Sequence, residues 1–157
     1  MTTQWVFRSA QIADVNRIAE LVNRAFQVER AFKDADRTDA AEIARLLDKG
    51  RFLLMERNDV VDACAYIEQR GDRAYIGMLS VAPEMQGTGA GSHLLAEVGN
   101  DCRAAGCKAL DLRFVHLRTD LMAYYQKRGF VETGVESAAG LRGFTVPVHF
   151  IGMSKSL

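Results

Sequence analysis

Between Arg73 and Val115 the sequence runs from an apolar stretch, RAYIGMLSV, through a glycine-rich loop into a helix-like segment, and out to a second apolar stretch, ALDLRFV. This order constrains the fold more than any other feature of the chain. A helix between two strands makes a crossover connection in place of a hairpin. The helix is expected over Gly89 to Ala105, with Leu94, Leu95, Val98 and Cys102 on its apolar face and Gly106 as its stop signal. Upstream the pattern differs. RFLLMER, VVDACAYIEQR and RAYIGMLSV are separated by Asn58-Asp59 and Gly71-Asp72, two tight-turn pairs, which predicts an antiparallel meander.

The flanks complete the layout. WVFRS, Trp5 to Ser9, reads as a first strand. Val15, Ile18, Ala19, Leu21, Val22, Ala25 and Phe26 recur at helical spacing behind Asp14, whose carboxylate suits a helix start. ERAFKDADRTD is polar and irregular, a loop, and DAAEIARLLDKG is a second helix stopped by Gly50. After the crossover come a helix in DLMAYYQKR, a strand in FVETGVE and a last strand in VPVHFIGMSK. The expected fold is α/β (an α+β mixed sheet), with an antiparallel first half, a crossover second half and helices on both faces. The expected organisation is one domain over residues 1–157.

Lys plus Arg equals Asp plus Glu, so the net charge is zero and no bulk attraction to nucleic acid or membrane is expected. Cys64, Cys102 and Cys107 are odd in number and irregular in spacing, which reads as reduced thiols in a cytoplasmic protein. MTTQWVFRSAQ lacks the basic-then-apolar layout of a secretion signal, and no apolar run has the length of a membrane span. His93 and His149 have no partner at ligand spacing, so no metal is expected.

The loop packs Gly87, Gly89 and Gly91 into five residues at a helix start. Helix N-termini carry unpaired N–H groups with partial positive charge, and glycines let a phosphate approach them. The P-loop pattern is missing, because Ser92 and His93 follow the glycines where a lysine is required. The dinucleotide fingerprint is also incomplete, with GxGxG halfway along the chain. By itself the loop is better read as a sharp turn with close helix–strand packing.

The flanking residues are more specific. Val81-x-Pro83-x-x-Gln86-Gly87-x-Gly89-x-Gly91 and the later Tyr125-x-x-x-Gly129-Phe130 resemble the GNAT superfamily of acyl-CoA N-acyltransferases, whose loop pattern here is Gln86-x-x-Gly89-x-Gly91. The order of elements agrees over nearly the whole chain. The resemblance implies acetyl-CoA as acyl donor and a primary amine of a small molecule or peptide as acceptor. It implies that Tyr75–Val81 and Ala109–Val115 are neighbouring parallel strands that splay apart, with a bulge at Gly77. The pantetheine arm would pair with the strand edge near Leu79 and Val81, and the pyrophosphate would sit on the amides of Gln86, Gly87, Thr88, Gly89, Ala90 and Gly91. A backbone N–H around Val81 would meet the oxyanion. Monomer and homodimer both stay open.

In that scheme Tyr125 is the acid that protonates the leaving thiolate, with Tyr124 a packing neighbour. The base that frees the amine is open between His116, Glu68 and water. Relatives carry an Asn near the place where this chain has HLRTD; Arg118 in that stretch either pairs with an acidic acceptor or caps local carbonyls. Glu29, Asp34 and Asp36 lie in the loop expected to frame the acceptor, offset by Arg30, Lys33 and Arg37. A non-catalytic acyl-CoA-binding module on the same fold is the alternative.

Overall fold

A computed structural model describes residues 4–157. Seven strands form one sheet in the order β1-β2-β3-β4-β5-β7-β6: β1 (Val6–Ser9), β2 (Arg51–Arg57), β3 (Val60–Arg70), β4 (Arg73–Val81), β5 (Ala109–Val115), β6 (Val131–Ser137) and β7 (His149–Ser156). Four helices join them: α1 (Val15–Ala25), α2 (Ala40–Leu47), α3 (Ala90–Ala104) and α4 (Thr119–Lys127). The expected elements are present with ends shifted by a few residues. Within the loop after α1 lies a short 3-10 turn, Gln27–Ala31. No described helix is long and apolar enough to cross a membrane.

The first four strands form the expected antiparallel meander. Asn58 and Asp59 both take positive φ, 52° and 64°, which matches the twist a two-residue hairpin needs. The second half is less parallel than a run of crossovers suggests. Only β4 and β5 pair in parallel, because β7 inserts antiparallel between β5 and β6.

Alternation along β2 and β3 sorts the core into two layers. Leu53, Met55, Ala63, Ala65 and Ile67 pack with α3 and α4, whereas Phe52, Leu54, Cys64 and Tyr66 pack with α1 and α2. The helices therefore cover opposite faces, and β2 and β3 are buried on both sides.

The parallel pair is short. β4 meets β5 only at Arg73, Ala74 and Tyr75, opposite Ala109, Leu110 and Asp111, and the strands then separate. On its other side β4 slips against β3: Tyr66 faces Gly77 but Cys64 faces Ser80, so β4 carries one extra residue. The positive φ of this bulge falls on Met78, at 48°, and not on Gly77. Gly77 lies at the edge of the bulge, where a Cβ would come within 3.2 Å of the Tyr75 ring.

The start of α1 is held by an ionic cluster. Arg8 donates two hydrogen bonds to the Asp14 carboxylate, at 2.9 and 2.8 Å, and one to Glu56, while the Gln11 N–H also donates to Asp14. Chiefly through Arg8, the Asp14 pKa falls to about 2. A carboxyl depressed in the folded state stabilises the fold above its unfolded pKa and loses that contribution as pH falls through the folded value. Asp14→Asn should therefore lower stability at pH 7, and its deficit should shrink between about pH 4 and pH 2. Urea unfolding of both proteins across that range measures it; a deficit independent of pH would contradict the assignment.

Candidate active site

Where β4 leaves β5, a chamber of about 930 Å³ opens through the sheet, a volume that suits a large organic ligand. One half lies on the α3 and α4 side, lined by Leu79, Val81, the glycine loop, Leu112, Phe114, Tyr124 and Tyr125. The other lies on the α1 and α2 side, lined by Phe26, Lys33, Arg37, Tyr66, Glu68 and Tyr75 among others. From Ile76 to Val81, β4 has no β5 partner, so that edge of its backbone faces the chamber.

The loop forms a compact turn. The Thr88 hydroxyl donates to the Met85 carbonyl at 2.5 Å, and the Gln86 amide reaches the Val81 carbonyl at 3.5 Å. Gly89 caps α3 with φ of 89°, a conformation costly for any other residue, and no side chain caps the helix. The first turn of α3 also carries no acidic residue, so its N–H groups are left for an anion. Gln86, Gly87, Gly89 and Gly91 line the chamber. Thr88 folds onto Met85, and Ala90 is buried in the core, so neither side chain lines it. Gly91 has a different reason: a Cβ there would stand 2.5 Å from the Tyr124 hydroxyl.

The two tyrosines separate cleanly. Tyr124 reaches the glycine loop, and its ring is covered by the Arg128 guanidinium at 3.5 Å. Arg128 also donates to Ser92 Oγ, at 2.7 and 3.2 Å, latching the end of α4 to the start of α3. Tyr125 is buried between the rings of Phe114 and Phe130. Its hydroxyl hydrogen-bonds to no described residue but is not sealed in, and it opens on the chamber. Burial, and next the Tyr124 hydroxyl, push its pKa well above the ordinary phenol value, so it carries its proton throughout the neutral range.

In the other half, the Glu68 carboxylate accepts from the Tyr66 hydroxyl at 2.7 Å and from Arg70. These bonds, Tyr66 first, hold its pKa below the usual carboxylate range. Arg118 pairs with two acids. It donates to Glu29 at 2.8 Å and to both oxygens of Asp120 at 3.1 Å, tying the start of α4 to the segment after α1. His116 does not line the chamber; its ring stacks on His149 at 3.9 Å. Asp34 and Asp36 also lie outside the wall, and Asp36 is paired with Arg30. Loops form the roof: the Asp34 N–H bonds the Gly143 carbonyl, the Thr145 N–H bonds the Phe32 carbonyl, and Lys33 bridges Phe144.

Residues 15–130 match the acetyltransferase (GNAT) family. The chain belongs to that family. It is 33% identical over 133 residues, 82% of its length, to an amino-acid acetyltransferase of Ralstonia nicotianae, of which it spans only about a quarter, 27%. The fold matches that of the ribosomal-protein-S18-alanine N-acetyltransferase from Escherichia coli with a TM-score of 0.79 at 18% identity, covering 98% and 94% of the two chains. It also matches a GNAT family acetyltransferase from Elizabethkingia anophelis that holds acetyl-CoA, with a TM-score of 0.75 at 18% identity and 98% coverage of each chain. Membership places the chain among acyltransferases.

Several residues that line the chamber were not singled out in the sequence. Arg128 stood one position before Gly129, inside the motif, and could have been read as a cation delivered to the glycine loop. Leu141, Arg142 and Phe144 reach the chamber from a connection with no helical or strand periodicity, so only the tertiary structure brings them there.

The contact between Gly91 and Tyr124 can be tested on its own. Gly91→Ala gains helix propensity of at most about 1 kcal/mol, against overpacking of about 1–3 kcal/mol. A net loss of stability is expected in urea unfolding. Tyr124→Phe in the same background removes the hydroxyl that the new methyl meets and should recover most of the loss. No recovery would contradict the contact.

Proposed function

We propose that residues 1–157 form one N-acetyltransferase domain that moves an acetyl group from acetyl-CoA to a primary amine in a ternary complex. The observation that carries this reading is the juxtaposition, at one opening, of an uncapped glycine-loop helix start and a protonated, buried Tyr125 hydroxyl. Acetyl-CoA supplies the activated thioester. The backbone amides of Gly87, Gly89, Ala90 and Gly91 hold its pyrophosphate, with the Arg128 guanidinium beside them, while those of Gln86 and Thr88 turn to the Pro83 and Met85 carbonyls. The free edge of β4 at Leu79 and Val81 pairs with the peptide-like pantetheine arm.

The amine enters from the α1 and α2 side. An acceptor amine with a pKa near ~10 must lose a proton before it can attack. Glu68 is ionised but held by Tyr66 and Arg70, which makes it a weak base, so the proton leaves through water to bulk solvent. His116 has no part in this step, since it faces His149 outside the chamber. A backbone N–H near Val81 meets the oxyanion as nitrogen attacks the carbonyl. The carbon–sulfur bond then breaks, and Tyr125 gives its proton to the thiolate. Desolvation of the leaving thiolate raises its affinity for that proton.

The balanced net charge favours a small-molecule or peptide acceptor over nucleic acid. The three cysteines, all free and buried, fit a reducing cytoplasmic setting.

Tyr125→Phe tests the chemistry. Acetyl-CoA should bind with nearly unchanged affinity in a calorimetric titration, while the chemical step slows by about 10²–10⁴-fold. The loss should shrink with a donor whose leaving thiol is more acidic. Tyr124→Phe, the same change one residue away, should leave turnover within a few fold. A large defect in Tyr124→Phe with none in Tyr125→Phe would move the acid to Tyr124. Full turnover in both would assign the proton to water. Bound acetyl-CoA with no transfer to any amine would instead support the non-catalytic module.

A further inference from the structure

The acceptor half of the chamber is charged in an unexpected sense. An enzyme that selects a simple cationic amine would line this half with carboxylates. Here Lys33, Arg37, Lys49, Arg70, Arg113 and Arg142 line it, against the carboxylates of Glu42 and Glu68; Glu29 and Asp120, which also line the chamber, are both taken up by Arg118. Arg70 is neutralised by Glu68, and Arg113 by Glu136 at 2.8 Å. Arg37 is only loosely paired, 3.9 Å from Glu42. Among the described residues Lys33, Lys49 and Arg142 have no carboxylate in ion-pair range.

Lys33 and Arg37 are the informative pair. Both come from the segment between α1 and α2. The Lys33 ammonium sits 5.2 Å from the centre of the Phe144 ring, and the Arg37 guanidinium 5.4 Å from that of Phe26. The rings support these cations but leave their N–H groups largely unpaired. Burial, and then the like charge of Arg37, push the Lys33 pKa down against the opposing carboxylates of Glu29 and Glu42, which pair with Arg118 and Arg37 and not with Lys33. These groups do not serve the donor phosphates. The glycine loop and Arg128 lie on the α3 side of the sheet, while Lys33, Arg37 and Phe26 belong to the α1 and α2 side.

We propose that the acceptor is a small amine that also bears a carboxylate, and that Lys33 and Arg37, with Arg142 on the roof, bind that carboxylate while Glu68 and Tyr66 face its amino end. This rests on the acetyltransfer reading above and specifies its substrate class. A carboxylate between Lys33 and Arg37 supplies the missing counter-charge and forms charge-assisted hydrogen bonds in a partly desolvated site. It also orients the substrate, so that the nitrogen, at the other end, points towards the splay of β4 and β5.

The experiment is an acetyl-transfer screen by thiol release with the proteinogenic amino acids, their carboxamides, O-phosphoethanolamine and spermidine, alongside calorimetry with acetyl-CoA. At least one free amino acid should be acetylated with kcat/KM about 30-fold or more above its carboxamide, because an amide leaves the cations unpaired. Lys33→Met should raise KM for that amino acid by about tenfold or more, leave the acetyl-CoA affinity unchanged, and collapse the acid-to-amide ratio. Carboxamides or spermidine used as well as the free acids would overturn the proposal, as would an unchanged ratio in Lys33→Met. Preference for O-phosphoethanolamine would replace the carboxylate by a phosphate and overturn it too. Acetyl-CoA binding with no free amino acid acetylated overturns the substrate class alone. Failure to bind acetyl-CoA overturns the acetyltransfer reading and this inference with it.

Discussion

The departure of β4 from β5 after Tyr75 is the constraint on which the rest of the site depends. A parallel pair inside a seven-stranded sheet would ordinarily stay hydrogen-bonded along its length, since buried backbone groups without partners are costly. Here one extra residue on β4 breaks the register with β3 and turns the strand, and Met78 takes a positive φ to achieve it. Helices on both faces keep the strand from returning. α1 packs against the Met78 side, and α3 closes over Leu79 and Val81. The opening is therefore built into the core and is not a surface feature.

That opening divides the chemistry between the faces of the sheet. On one face are an uncapped helix start, a cation latched to it through Ser92, and a tyrosine whose hydroxyl stays protonated. On the other are the Tyr66–Glu68–Arg70 chain and the ring-supported cations Lys33 and Arg37. Arg118 stands between them, bound by Glu29 and Asp120, and joins the segment after α1 to the start of α4. It is a strut with both carboxylates already in place, which leaves it little freedom to recruit an acidic ligand.

What could be read from the residues alone was local. The Asn58-Asp59 and Gly71-Asp72 turns announced the meander, and the motif from Val81 to Gly91 announced the helix start and the family. The spacing of two along β3 puts Glu68 on the side of Tyr66, where the hydroxyl meets it. Long-range placement was not legible. His116, a candidate base, directly follows β5, yet its ring is taken up by His149, on a strand that inserts between β5 and β6. The bulge, expected at Gly77, opens directly after it, with the positive φ on Met78, and Gly77 itself leaves room for the Tyr75 and Tyr66 rings.

The glycine loop shows where the two levels divide. Sequence by itself determined that Gly87, Gly89 and Gly91 lie at a helix start and belong to a GNAT motif, because such motifs are contiguous and glycine's tolerance of positive φ is a local property. Only the tertiary structure decided that Gly91 makes room for Tyr124, more than thirty positions away, and that Lys33, Arg37 and Arg142 meet around one chamber. The physical reason is that charge balance and close approach are sums over neighbours in space. A chain with no net charge can still gather cations on one wall, and nothing in the order of its residues records which wall they share.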